Sequence, residues 1–254
     1  MAPQTILFDM DDTLSHCNVY FDFVLDQFSD QLATWYASSR ITVEEIKKKQ
    51  FEIDTAGVTR LGFTADHFSY SLTETYRYFS HMTGRPPDDR EIEELIKLGN
   101  SVYDKEVEPY PYMEETLLQL QDEGHHLYLY TGGVEVIQRR KVESLRLERF
   151  FGDRIFVRQR KETEALRLII EENGFDRSVT WMVGNSLRTD ILPALETGIK
   201  AVYVPAITEW EYNMVEVAKK PEGSFFTVPS LKDVPALIHG HLASAKAKQG
   251  NTVN

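Results

Sequence analysis

The sequence predicts an α/β protein in two parts: a three-layer core on a parallel sheet, and a smaller all-helical domain set into it. Three observations lead there. Short β-prone apolar runs, each stopping near polar or glycine residues, recur at 5–8, 127–130, 179–183 and 201–204. Beyond Pro109 these runs alternate with helical stretches, and strands alternating with helices make a parallel sheet covered on both faces. Residues 15–106 instead read almost entirely as helix.

Taken in order, Thr5-Ile6-Leu7-Phe8 is a buried strand that delivers Asp9 at its carboxyl end. In the helical stretch, Thr42 with Glu45 forms a capping box, and Asp88 with Glu91 a second one just after Pro86-Pro87. Between them, residues 55–63 read as a glycine-punctuated loop. The aromatic residues of this region fall at helical spacing and read as its core, not as a ligand pocket.

After Pro109, a helix over 113–123 ends at Gly124, and a strand over 127–130 ends at Thr131-Gly132-Gly133. A helix over 134–145 leads to a strand over 154–157, then a helix over 163–173 closed by Gly174. The strand over 179–183 ends at Gly184-Asn185-Ser186, and a helix over 190–197 stops at Gly198 before the strand over 201–204. The expected division is a Rossmann-like core from 1–14 and 107–240, a helical domain over 15–106, and a flexible tail over 241–254. The tail is small and polar from Ser244 onward and is expected to fray.

Of 254 residues, 42% are hydrophobic and 27% charged, enough for a sizeable core. The net charge of −12 argues against a long nucleic acid as partner, since a polyanion rewards a basic face. A single cysteine, Cys17, rules out an internal disulfide and points to a reducing compartment. No apolar run reaches the length of about 18 residues that spans a membrane, and acidic clusters precede anything resembling a secretion signal. A cytoplasmic protein with no membrane partner is expected.

In open parallel sheets, ligands sit beyond the carboxyl ends of the strands. Three predicted strand ends carry polar chemistry: Asp9 with Asp11, Thr131 with Gly132, and the stretch from Asn185 to Asp190. Two carboxylates two residues apart can share nucleophilic and proton-transfer work, with Asp9 attacking and Asp11 reaching the leaving group. Asp12 reads as a turn former.

These pieces together resemble the haloacid dehalogenase superfamily. Asp9-Met-Asp-Asp-Thr13-Leu14 resembles its first motif, Thr131 its second, Lys161 the lysine of its third, and Gly184-Asn-Ser-Leu-Arg-Thr-Asp190 its acidic loop. The resemblance implies a phosphatase that forms an aspartyl-phosphate on Asp9, with Asp11 as acid and base. It implies phosphate contacts from Thr131 and the Gly132 amide, and charge compensation by Lys161, with Arg160 as the alternative. Mg²⁺ is the implied cofactor, held by Asp9, the Asp11 carbonyl, Asn185 and Asp190, the last directly or through water. Asn185 departs from the pattern, because an acidic residue is usual there and an amide ligates without charge.

The helical insertion lies where the superfamily places an α-helical cap, and Gly57-Val-Thr-Arg60 resembles a substrate-recognition loop of some members. Arg60 is therefore a candidate for substrate binding; an ordinary exposed arginine is the other reading. A small phosphorylated metabolite is the implied substrate. A phosphomutase, a haloacid dehalogenase and a weakly catalytic binding protein remain alternatives, although a dehalogenase has no need of Asp11. Substrate identity and oligomeric state are not written in the residues.

Overall fold

The computed structural model describes residues 2–218 and 221–250. Its centre is a six-stranded sheet in the order β3-β2-β1-β4-β5-β6, every pairing parallel. The strands are β1 (Thr5–Phe8), β2 (His126–Gly132), β3 (Ile155–Arg158), β4 (Thr180–Gly184), β5 (Lys200–Tyr203) and β6 (Phe225–Thr227). β1 sits between β2 and β4, with Phe8 in register with Leu129 on one side and Val183 on the other. Chain order reverses at β1, so the gap beyond β1 and β4 is the switch point where such sheets bind ligands.

The central strands are apolar without a break because helices cover both sheet faces. Side chains alternate along a strand, so Ile6 and Phe8 join one core cluster while Leu7 joins the other. The first face packs against α5 (Met113–Asp122), α6 (Glu135–Ser144), α7 (Glu148–Phe151) and α10 (Val234–Gly250). The second packs against α8 (Thr163–Glu172) and α9 (Leu192–Thr197). β6 and α10 were not anticipated. β6 is only three residues long, and α10 contains Gly240 and, in its first turn where a proline is tolerated, Pro235.

The stretch before α5 forms four helices: α1 (Asn18–Trp35), α2 (Val43–Leu61), α3 (Ala65–Thr83) and α4 (Asp89–Asn100). They share a separate apolar cluster in which Phe28, Tyr36, Phe68, Tyr76 and Phe79 are buried. Among the described residues no helix is long and apolar enough to cross a membrane.

Four local expectations need correction. The loop expected over 55–63 is helix as far as Leu61. Gly57 is there for close packing, since a Cβ on it would lie 1.8 Å from the His67 ring. The Thr42–Glu45 capping box forms, but Asp88 accepts from the Arg90 amide while Glu91 turns to the Arg85 guanidinium at 2.6 Å. A charged hydrogen bond to arginine outcompetes the neutral backbone one. The helix expected from Asp190 starts at Leu192, preceded by a wide turn over 187–191 that Ser186 caps by accepting from the Thr189 amide at 3.0 Å. Of the expected tail, 241–250 continue α10, and 251–254 lie outside the described residues.

Candidate active site

Asp9 leaves β1 buried, its backbone N–H donating to the Val183 carbonyl at 2.9 Å. One carboxylate oxygen, Oδ1, accepts from Lys161 Nζ at 2.6 Å, and Oδ2 accepts from the Thr13 hydroxyl at 3.3 Å. Lys161 comes from the short connection between β3 and α8 and also pairs with Asp190 Oδ1. Burial lifts the Asp9 carboxyl to about 7, with Lys161 pulling the other way. Burial likewise disfavours the Lys161 ammonium, but Asp190 and Asp9 overcome it and hold it above the ordinary lysine range. A buried cation between two carboxylates is tolerated because each partner offsets the other's desolvation.

Asp12 turns the chain, at φ 59°, and accepts from the backbone N–H groups of Cys17 at 3.1 Å and Asn18 at 2.9 Å. It thus caps α1 and starts the helical insertion from the same loop that carries Asp9. This is the turn-forming role expected of it.

Asp11 faces α6. Its Oδ1 accepts from Lys141 Nζ at 2.6 Å and its Oδ2 from Gln138 Nε2 at 2.9 Å. Gln138 also donates to the Thr131 hydroxyl oxygen at 3.0 Å and reaches the Gly132 carbonyl. Thr131 is fully buried, and its own hydroxyl reaches only the Gly132 carbonyl, at 3.5 Å, the limit of a hydrogen bond. Neither Gln138 nor Lys141 was singled out in the sequence. The only signal is their spacing of three, which places them on one face of α6; in a helix as polar as EVIQRRKVES that does not stand out from a solvated face.

The insertion meets this cluster through Phe63. A Cβ on Gly132 would lie 2.9 Å from the Phe63 ring, and the Phe63 amide donates to the Gln159 carbonyl at 2.9 Å. Arg60 is exposed at the end of α2, lining a groove with His67, Tyr70 and Arg77 that none of the Asp9 cluster lines. Arg160, the alternative to Lys161, reaches the Thr59 and Arg60 carbonyls and pairs with Glu162, away from Asp9. Lys161 is the cation at Asp9 and Asp190.

Asn185 follows β4 and is buried, and its Oδ1 accepts from the Thr13 hydroxyl at 3.3 Å; turned over, the amide nitrogen would instead donate to the Asp11 carbonyl at 3.1 Å, Asp9 Oδ2 at 3.2 Å and Thr13 Oγ1 at 3.3 Å. With Oδ1 facing inward, Asn185 joins Asp9 Oδ2 and the Asp11 carbonyl in an all-oxygen set. Such a set fits a hard divalent cation. No three His, Cys, Asp or Glu side chains gather as a metal cluster among the described residues; an amide stands where a further carboxylate would complete one. Asp190 is already engaged, Oδ1 with Lys161 and Oδ2 accepting from the Ser186 amide at 2.9 Å. Gly184 makes room for it, because a Cβ there would lie 2.2 Å from Asp190 Oδ2.

A parallel sheet with a buried aspartate at its switch point, a second aspartate two residues on and a lysine across the gap defines a hydrolase site of the haloacid dehalogenase type. The chain belongs to the haloacid dehalogenase-like hydrolase family, whose model matches residues 3–198. Over 134 residues, 48% of this chain, it is 31% identical to glyceraldehyde 3-phosphate phosphatase of Methanothermobacter thermautotrophicus, spanning 58% of that protein's length. A haloacid dehalogenase-like hydrolase structure from Xanthomonas campestris superposes with a TM-score of 0.78 at 22% identity, covering 97% of this chain and 99% of that one. An L-2-haloacid dehalogenase from Xanthobacter autotrophicus shares the fold at a TM-score of 0.52 and 19% identity, over 94% and 99% of the two chains. The fold by itself does not choose between phosphate and halide chemistry.

Proposed function

We propose that this protein is a magnesium-dependent phosphomonoester hydrolase acting on a small phosphorylated metabolite, with residues 15–106 as a cap over the site. The observation that carries the reading is Asp11. A second carboxylate, two residues from the buried nucleophile candidate and anchored separately from it, has no task in halide displacement. It has two in ester hydrolysis, protonating the leaving oxygen and then deprotonating water. The relative that hydrolyses a small phosphate ester supports the same choice.

In this reading Asp9 Oδ1 attacks phosphorus, the ester P–O bond breaks, and Asp11 passes its proton to the departing alkoxide. Asp11 then takes a proton from water as that water attacks the acyl phosphate, and Asp9 is released with inorganic phosphate. The Thr131 hydroxyl and the Gly132 N–H hold phosphate oxygens, and Lys161 offsets charge on the transferred group. Asp9, the Asp11 carbonyl and Asn185 would hold Mg²⁺, with Asp190 fixing Lys161 and reaching the cation through water. Bound there, Mg²⁺ supplies the positive charge that lets a dianionic ester approach two carboxylates. Phe63, at the mouth of the Gly132 subsite, limits what can enter; Arg60 would contact a substrate only from the groove it lines.

Phosphate release, screened over a panel of sugar phosphates, phosphorylated acids and nucleoside monophosphates with Mg²⁺ and with chelator, tests the proposal. Turnover of at least one ester that chelation abolishes is expected. Release of halide from a 2-haloacid, with no phosphate from any ester, would replace the proposal by the dehalogenase reading.

A further inference from the structure

Lys141 is a side chain that the reaction scheme above leaves without a part. It stands on α6, its side chain 16% exposed, and its ammonium lies 2.6 Å from Asp11 Oδ1. It also reaches the Cys17 sulfur at 3.8 Å, a weak contact. Burying an ammonium to this extent is costly unless a charged partner compensates, and here that partner is Asp11.

Asp11 in turn has little else to hold it. Within its own loop the only side-chain contact is the Ser15 hydroxyl, at 3.5 Å, the limit of a hydrogen bond. The carboxylate is 27% exposed, and its other oxygen is taken by Gln138, one helical turn before Lys141. Both anchors belong to the helix that follows Thr131 and Gly132. Asp11, from the loop after β1, is thereby indexed to the subsite where the phosphate oxygens would rest.

We infer that Lys141 is a positioning residue for Asp11: it fixes the carboxyl group that transfers the proton in ester cleavage, without itself touching the phosphate. The inference rests on the phosphatase reading. In the first step the P–O bond to the ester oxygen breaks as the Asp9–phosphorus bond forms, and the proton of Asp11 goes to the leaving alkoxide. An alkyl alkoxide needs that proton. A p-nitrophenolate, the anion of an acidic phenol, departs without it. A misplaced Asp11 therefore slows the first step for alkyl esters selectively, and proton transfer by a placed side chain is worth about 10²- to 10⁴-fold.

The experiment is single-turnover cleavage of p-nitrophenyl phosphate and of an alkyl ester, glycerol phosphate, by wild type, Lys141→Met, Lys141→Gln and Lys141→Arg, each with Mg²⁺. For Lys141→Met and Lys141→Gln the ratio of alkyl to aryl cleavage rate should fall at least about tenfold, a partial loss of the roughly 10²- to 10⁴-fold that a placed acid supplies, with the half-saturating concentration of either ester unchanged. Lys141→Arg, which keeps the charge and the donor, should recover most of the ratio. The ratio does not depend on how much of a variant folds, so a loss of stability leaves it readable. Equal loss on both esters, or an unchanged ratio, overturns the inference. If wild type cleaves neither ester nor any other in the screen, the phosphatase reading falls instead.

Discussion

Lys161 Nζ lies 2.6 Å from Asp9 Oδ1, an ion pair whose two side chains are 2% and 8% exposed. The same ammonium pairs with Asp190, which Gly184 and the Ser186 amide hold in place. The candidate nucleophile is therefore fixed by a chain of contacts spanning three strand ends, β1, β3 and β4.

Asp9→Asn is expected to abolish turnover and to block trapping of the phosphoryl site by beryllium fluoride. The amide is isosteric, and Lys161 keeps Asp190 as partner, so the melting temperature should change little. Phosphate release and fluoride-dependent thermal shift measure both. Near-normal turnover in Asp9→Asn would rule out the covalent route.

Lys161→Met leaves Asp9 and Asp190 buried without their shared cation. Breaking a buried pair in this way costs about 3–5 kcal/mol of stability, and losing the compensating charge costs about 10²- to 10³-fold in kcat. Urea unfolding and steady-state kinetics report the two effects. Full activity in this variant would assign the charge compensation to another group, and Arg160 is placed too far toward α2 to provide it.

Asn185→Asp sets a carboxylate 3.2 Å from Asp9 Oδ2 and 3.1 Å from the Asp11 carbonyl, where a neutral amide now rests. Without cation the variant should be less stable than wild type, because like charges meet in a buried site. With Mg²⁺ the order should reverse, binding being tighter by one to two decades, about 1.4–2.8 kcal/mol. Melting temperature as a function of added Mg²⁺ shows this without any assay of activity. Two parallel curves would mean that residue 185 does not face the cation.

Gly184→Ala places a methyl group 2.2 Å from Asp190 Oδ2 in the middle of the sheet's carboxyl edge. Something must move, and overpacking of this kind costs about 1–3 kcal/mol. Asp190 is the group that yields, releasing Lys161 on one side, so kcat should fall together with stability. Unchanged kcat would show that Asp190 does not set the position of Lys161.

The helical insertion supplies a pH-dependent prediction. Burial lifts the Asp54 carboxyl from 3.8 to about 6, with His67 and a Ser71 hydrogen bond opposing. The folded chain therefore holds this proton more tightly than the unfolded one. The stability that proton confers is fully present below pH 3.8 and is lost as pH rises through about 6. Denaturant unfolding of wild type and Asp54→Asn across that window should show the variant with the shallower decline.

Much of this was legible in the residues. The strand-forming apolar runs, Asp12 as a turn former, and Asp9 and Lys161 as polar residues brought to the strand ends each follow from local pattern or from the ordered motifs. Each signal lies within a few residues of the side chain concerned. Lys141 and Gln138 were not legible, because they sit in a helix whose charges look alike from sequence. Only packing shows which of them turns inward. The same holds for Gly57, a loop signal in the sequence and a packing site in the fold, and for Phe63, which carries no motif and yet lies against Gly132.

By itself, then, the sequence determined the parallel sheet, the helical insertion and the identity of the carboxylates, since these depend on periodicity and on what a strand end can present. Tertiary structure decided which cation serves which carboxylate: Lys161 for Asp9 and Asp190, Lys141 for Asp11, and Arg160 for the end of α2. Partner choice among charges is set by burial and by distances of a few ångströms, and residues 130 and 152 positions apart in the chain come within 2.6 Å only when the sheet has formed.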